Sequence, residues 1–96
     1  MRRQIRSWMR PSNPRRAHAR TIVADFGRNV RAQRIAAGVP QIELARLSQI
    51  DVSFIRKIEL GRSNPSLETM AFVALALNCT VAELLRFGPL DETTHV

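Results

Sequence analysis

Apolar residues recur at helical spacing along most of the chain, and the first such run ends at a glycine. Its members lie four residues apart: Ile22, Phe26 and Val30. Residues at this spacing share one face of an α-helix. We predict a first helix over about residues 21–37, because Gly38 can adopt the left-handed conformation that ends many helices. Arg34 extends the same apolar face, so its charge needs a partner or a route to water.

Two short helices are predicted next, joined by only a few residues. One is expected over about residues 40–48, with proline at its first position, where the missing N–H is tolerated. The other is expected over about residues 52–60, after the N-cap residue Asp51 and before Gly61. Two short helices joined in this way are typical of a helix-turn-helix motif, whose second helix enters the major groove of DNA.

The third predicted helix has two faces of different chemistry. Ile55 and Ile58 point inward. The outward face carries two cations, a hydroxyl and two apolar side chains: Val52, Ser53, Arg56, Lys57 and Leu60. Cations can bind guanine N7 and O6, serine can donate or accept a hydrogen bond, and valine can contact the thymine methyl group. Taken alone, this face fits an ordinary solvated helix equally well.

Glu59 lies four residues after Ile55, at the edge of the predicted core. It is the obvious partner for Arg34, and an Arg–Glu pair there would tie the first helix to the third. The alternative is that both side chains extend to water.

Capping residues predict two further helices. Ser66 precedes a fourth helix over about residues 67–77. Its inward stripe is expected to contain Leu67, Met70, Ala71, Ala74 and Leu77. Thr80 and Glu83 can form a capping box for a short fifth helix over about residues 81–85. No alternation typical of strands is present, so the sequence predicts an all-α fold with a helix-turn-helix.

The net charge of +7 lies entirely in the first twenty residues. They include seven arginines and no acid, whereas the rest of the chain has eight basic and eight acidic residues. We interpret residues 1–20 as a disordered basic arm, residues 21–87 as the DNA-binding domain and residues 88–96 as a tail.

A neutral body with a basic arm indicates a polyanionic partner, and double-stranded DNA is favoured over an anionic membrane. The arm is expected to follow DNA phosphates or a minor groove, with a solubilising tail or a transit peptide as alternatives.

Other classes of function find little support in the composition. No apolar run approaches the ~20 residues that cross a bilayer, so we expect a soluble, cytoplasmic protein without membrane contact. Cys79 is the single cysteine and is expected to be a small buried hydrophobe. No His, Cys or carboxylate cluster has catalytic or metal-ligand spacing, so we predict neither an enzyme nor a metal or cofactor site.

The run of residues 26–85 resembles the phage repressor and Cro family, also called the xenobiotic-response-element family. The matching stretches are RIAAG (34–38), QIELARLS (41–48), IRKIELG (55–61), NPSLET (64–69) and VAELL (81–85). The combination is more specific than any single stretch. The resemblance implies a compact five-helix, lambda-repressor-like domain that binds operator DNA, usually as a dimer.

The resemblance also implies which residues meet the DNA. Seven positions match the contact residues of the family: Gln41, Val52, Ser53, Arg56, Lys57, Arg62 and Asn64. The first is expected to touch phosphate and brace the recognition helix, the next four to read bases, and the last two to meet the sugar-phosphate backbone. Arg34 and Glu59 match a structural ion pair that recurs in the family.

Some positions depart from the family pattern. Pro40 stands where a capping Thr or Ser is usual. Gln49 stands where the turn usually has a Gly, which is tolerable if its backbone is not left-handed. Ile42 and Leu47 occupy positions that are normally polar, so they are candidates for a protein contact or for cover by the arm.

The sequence therefore predicts a transcriptional regulator that binds a palindromic operator as a homodimer. The dimer interface is expected near the fifth helix, at Leu85, Phe87 and Leu90. The regulator could be a stand-alone repressor or activator, the controller of a restriction–modification operon, or the antitoxin of a toxin–antitoxin pair. Outside the DNA-binding class, the alternative is a protein-interaction module that has kept the fold.

Overall fold

The computed structural model describes residues 14–86, and every regular element in that range is an α-helix. In chain order the helices are α1 (Pro14–Ala36), α2 (Gln41–Ser48), α3 (Val52–Glu59), α4 (Leu67–Ala76) and α5 (Val81–Leu84). The prediction of an all-α fold with five helices is confirmed. None of the helices described is long and apolar enough to cross a membrane.

The first helix begins at Pro14, well before its predicted start near residue 21. Proline is favourable at the first position of a helix, and arginine and alanine, which dominate the next turns, favour helix. Thr21 Oγ1 also donates a hydrogen bond to the Ala17 carbonyl, at 3.1 Å. The predicted disorder is therefore wrong for residues 14–20, where helix propensity outweighs the repulsion between arginines. The remainder of the predicted arm, residues 1–13, lies outside the described residues.

α2 starts one residue later than predicted, at Gln41. Pro40 is its N-cap residue and contributes no side-chain hydrogen bond. Instead the Pro40 carbonyl accepts the backbone N–H groups of Glu43 and Leu44, both at 3.0 Å. Proline therefore replaces the usual capping hydroxyl without preventing the helix.

The turn between α2 and α3 differs from expectation at two residues. Gln49 has a φ of 61°, so its backbone is left-handed although it carries a side chain. Asp51 stands at the N-cap of α3, but its carboxylate accepts no backbone N–H. It accepts the hydroxyl of Ser53 instead. The turn thus has its shape without a glycine and without a side-chain cap.

All five helices contribute to one apolar core. Its buried members are Phe26, Val30, Leu44, Ile55, Ile58, Val73, Ala74, Leu77 and Leu84. The inward stripe of α4 differs from the predicted one, because Val73 is completely buried whereas Leu67 is 67% exposed. Leu67 is the first residue of α4, where the helix has not yet reached the packed interior. The capping box of α5, formed by Thr80 and Glu83, is present as predicted.

α1 and α3 pack with their backbones in close contact. A Cβ atom at Gly27 would lie 2.1 Å from the carbonyl oxygen of Ile58. Further along, a Cβ atom at Gly61 would lie 3.2 Å from the Cα atom of Ala24. Because Ala24 already meets a residue beyond the end of α3, the N-terminal turns of α1 extend past α3.

Candidate nucleic-acid interface

The predicted outward face of α3 is turned away from the core. Ser53, Arg56, Lys57 and Leu60 are exposed, and Val52 is half-buried. On the other side Ile55, Ile58 and Glu59 are buried. α3 therefore presents two cations and a hydroxyl on a helix whose opposite face is held by packing.

An ion pair between Arg34 and Glu59 links α1 to α3. Arg34 donates from Nε to Glu59 Oε2 at 2.6 Å and from Nη2 to Oε1 at 3.0 Å. The Glu59 side chain is 2% exposed and that of Arg34 11%. The hydrogen bond to Glu59 raises the pKa of Arg34, although burial opposes the effect. Two parallel N–H···O bonds set the orientation of the pair as well as its charge balance, so α3 is held in one position against α1.

Gln41 joins this network from the start of α2. Its Nε2 amide donates to Glu59 Oε1 at 3.0 Å. Arg34 also donates from Nη1 to the Val39 carbonyl at 2.9 Å, which holds the segment leading into α2. Gln41 thus contacts α3 through Glu59, and its contact with phosphate stays a prediction.

Ser53 is oriented by the residue that precedes α3. Its hydroxyl donates to Asp51 Oδ2 at 2.5 Å. Because a hydroxyl has a single proton, its oxygen lone pairs are then left as acceptors. In this state Ser53 suits a donor on a base edge, such as the amino group of cytosine or adenine.

Arg62 and Asn64 lie in the loop after α3, and both are exposed. The Arg62 N–H donates to the Lys57 carbonyl at 2.9 Å, and the Gly61 N–H donates to the Ile58 carbonyl at 3.0 Å. These bonds close the last turn of α3 with Gly61 left-handed. The loop therefore leaves the recognition helix in a defined direction, toward the N-terminal half of α1.

The predicted dimer contact is only partly within the described residues. Leu85 is half-buried and packs against the core. Phe87 and Leu90 lie outside the described residues. A dimer contact at these three positions therefore stays a prediction, and Leu85 has less free surface than expected.

Two residues that position the interface were not singled out from the sequence: Gly27 and Asn29. A glycine inside a helix is unfavourable unless something approaches it closely, so Gly27 beside the inward Phe26 was an available signal. Asn29 Nδ2 donates to the carbonyls of Leu84 at 2.9 Å and Arg86 at 2.7 Å, which ties the end of α5 to α1. No local pattern marks Asn29, because both partners lie more than fifty residues later in the chain.

Outside this network, the described residues contain no candidate metal site, and the single cysteine has the surroundings of a packing residue. Among residues 14–86, no group of three or more His, Cys, Asp or Glu side chains could hold a metal ion. Cys79 is half-buried against the core, and burial raises the pKa of its thiol. A raised pKa disfavours the reactive thiolate, which agrees with a packing role.

The fold and the exposed face of α3 together define a helix-turn-helix protein, and comparison with known families agrees. The helix-turn-helix family model matches residues 30–84, from the middle of α1 to the end of α5. The chain belongs to this family, whose members are helix-turn-helix regulators of the phage repressor and Cro type.

Solved structures of regulators resemble the chain over most of the described residues. It is 37% identical to the restriction-modification controller protein C.AhdI from Aeromonas hydrophila, with a TM-score of 0.63 over 65% of this chain and 94% of that one. The clp gene regulator ClgR from C. glutamicum is 33% identical, with a TM-score of 0.64 over 67% of this chain and 83% of that one. The hypothetical transcription factor NHTF from Neisseria is 28% identical, with a TM-score of 0.68 over 78% and 85% of the two chains. No curated protein sequence matches significantly. The protein is a DNA-binding transcriptional regulator.

Proposed function

We propose that the protein binds a specific, two-fold symmetric operator as a homodimer, with α3 in the major groove. The observation that carries this proposal is the division of α3 into two faces. Ile55, Ile58 and Glu59 are buried, whereas Arg56 and Lys57 are exposed. The major groove admits one α-helix, and arginine and lysine bind the guanine edge there.

The support of α3 favours base reading over general attraction to phosphate. Glu59 receives hydrogen bonds from both Arg34 and Gln41. A recognition helix that is fixed before binding presents its side chains in one orientation. The protein therefore loses less conformational entropy when it binds DNA. Val52 and Ser53, at the first turn of α3, are then available for base edges, while Arg62 and Asn64 are available for the backbone.

A homodimer follows from the small size of this reading surface. The four side chains of α3 that are expected to read bases cover few base pairs, and dimers of this class place two such helices about one DNA turn apart. The dimer contact is proposed at the end of α5 and just after it, at Leu85, Phe87 and Leu90. Leu85 packs against the core, so this contact depends mainly on the two later residues.

The proposal is tested by selecting bound sequences from a random pool of duplex DNA with the full chain. We expect an inverted repeat whose half-sites are centred about ten base pairs apart. A single asymmetric motif would contradict the dimer. Recovery of no motif above background would contradict sequence-specific binding.

The same selected duplex tests the role of α3. Replacing Arg56 or Lys57 with Ala is expected to cost about 1–3 kcal/mol of binding free energy on the operator if that residue reads guanine. The loss on an unrelated duplex should be smaller. The matched control is Arg46→Ala, which removes a cation from α2 that is paired with Glu43. Equal losses of binding free energy on both duplexes would show that Arg56 and Lys57 contact phosphates and do not read bases.

A narrower role, control of a restriction–modification operon, is favoured by one observation. The alignment with the controller protein C.AhdI covers 94% of that chain at 37% identity. In this role the protein would bind DNA upstream of its own gene and of a neighbouring endonuclease or methyltransferase gene. A gel-shift titration with that upstream DNA would support the role, and binding sites confined to unrelated promoters would exclude it.

A further inference from the structure

The N-terminal turns of α1 form one side of a basic groove beside the loop that follows α3. The groove is lined by Arg15, Arg16, Ala19, Arg20, Val23 and Asn64. Three of these side chains are cationic and none is acidic. This groove exists because α1 begins at Pro14, in a segment where the sequence predicts disorder.

The placement of the groove follows from the crossing of α1 and α3. Ala24 meets Gly61 just beyond the end of α3, so residues 14–23 continue α1 by about 15 Å. Arg16 and Arg20 are four residues apart and therefore share a helix face, separated by about 6 Å along the axis. That face also carries Val23 and looks toward Asn64. The two guanidinium groups can therefore reach two separate phosphates.

We propose that Arg16 and Arg20, together with Asn64, form a phosphate-binding groove that holds the DNA backbone next to the site read by α3. The inference rests on the proposed function, because it places the groove on the same duplex. Two observations carry it. The groove has only positive charge, which complements phosphate, and its Asn64 belongs to the same exposed loop as Arg62 at the end of α3.

A membrane surface is a poorer partner for these turns. A helix that lies on a membrane needs large apolar side chains on one face. Between residues 14 and 21 the side chains are proline, arginine, alanine, histidine and threonine. Nothing in this stretch can enter the acyl region of a bilayer, so duplex DNA is the polyanion that the groove fits.

The test uses the full chain with R16Q/R20Q, because glutamine keeps helix propensity and removes the charge. The matched control is R31Q/R46Q, which removes the same net charge at two exposed arginines outside the groove and outside the proposed dimer contact. Affinity for the selected operator and for an unrelated duplex is measured over a range of salt. Neutralising each phosphate contributes about 0.9 to the slope of log K against log salt, so loss of two contacts should lower its magnitude by about 1.8 per chain.

The expected result is equal weakening of both duplexes by R16Q/R20Q, with unchanged base preference and with the control close to wild type. R16K/R20K, which keeps both charges, should retain the wild-type slope, and circular dichroism should give the same helix content for all variants. An unchanged salt slope in R16Q/R20Q, or an equal change in the control, would contradict phosphate binding by the groove. Loss of helix in R16Q/R20Q with a reduced slope in R16K/R20K would also overturn it, because charge would then not be the cause. Failure of the wild type to select any sequence would contradict the proposed function but leave the groove testable on the unrelated duplex.

Discussion

Gly27 is the residue at which α1 leaves no room for a side chain against α3. A Cβ atom there would lie 2.1 Å from the Ile58 carbonyl oxygen, and this neighbour is backbone that cannot rotate away. The glycine therefore sets how closely the recognition helix lies to the rest of the domain.

We expect Gly27→Ala to destabilise the fold by about 1–3 kcal/mol or more, because overpacking a core forces backbone to shift. DNA affinity should fall as well, since the shifted element is α3. The control is Gly38→Ala, where φ is +70° but nothing lies within 4 Å, so stability alone should suffer. Chemical denaturation and operator titration measure both effects. If Gly27→Ala bound the operator as tightly as Gly38→Ala, the close approach would not position α3.

Glu59 is the buried centre of the network that joins α1, α2 and α3. Removing one partner of a buried ion pair leaves the other charge without compensation, so Glu59→Ala should cost about 3–5 kcal/mol of unfolding free energy. Glu43→Ala is the control, because its pair with Arg46 is exposed and should matter little. Since the pair raises the pKa of Arg34, the stabilisation that this shift represents persists at neutral pH and is lost only as strongly alkaline pH passes the raised value. Similar denaturation midpoints for the two variants would contradict a structural role for the pair.

At the scale of the elements, the turn between α2 and α3 holds local backbone strain. Gln49 is left-handed, with φ of 61° and ψ of 31°, and a left-handed conformation costs an ordinary residue about 1–2 kcal/mol. The Gln49 backbone N–H donates a hydrogen bond to the Ala45 carbonyl and so closes the last turn of α2. Packing of the two helices on either side therefore outweighs the local cost.

Gln49→Gly should relieve this strain. Glycine also loses more conformational entropy on folding, so the expected net gain is at most about 1 kcal/mol of unfolding free energy. The control is Gln33→Gly, in the interior of α1, which should lose about 1 kcal/mol. Thermal unfolding at constant pH distinguishes the two. A lower melting temperature for Gln49→Gly than for the wild type would indicate that the Gln49 side chain contributes contacts that outweigh the strain.

At the scale of the whole molecule, the basic turns of α1 and the exposed apolar residues of α4 lie on different helices. The basic residues of α1 extend past α3, while Phe72 and Leu75 on α4 are exposed. A dimer contact at the end of α5, away from α3 in the sequence, would leave α3 free to meet DNA in both copies.

Sedimentation equilibrium of the full chain should therefore give a dimer that dissociates on dilution. Leu90→Glu should shift this equilibrium toward monomer with little change in melting temperature. The matched control is Leu75→Glu, which places the same charge at a leucine that is 76% exposed on α4. If Leu75→Glu dissociated the dimer and Leu90→Glu did not, the interface would lie on α4 instead.

Local features of this protein were predictable because they depend on residues close together in the sequence. Ser66 and Thr80 cap their helices as expected, since a side-chain cap involves residues only three apart. The inward Ile55 and Ile58 and the outward Arg56 and Lys57 follow from helical periodicity alone. The start of α1 differs from the prediction, although helix propensity is also local, because the two prolines and seven arginines of residues 1–20 are typical of disorder.

Apart from the start of α1, the sequence by itself therefore determined the helices, the family and the chemistry carried on α3, because local hydrogen bonding and periodicity specify them. Only the tertiary structure decided that Gly27 sits on the Ile58 carbonyl, that Asn29 holds α5, and that Arg16 and Arg20 lie beside Asn64. Each of these depends on where elements far apart in the chain come together. Such contacts are set by the packing of the whole core, which no short stretch of sequence specifies.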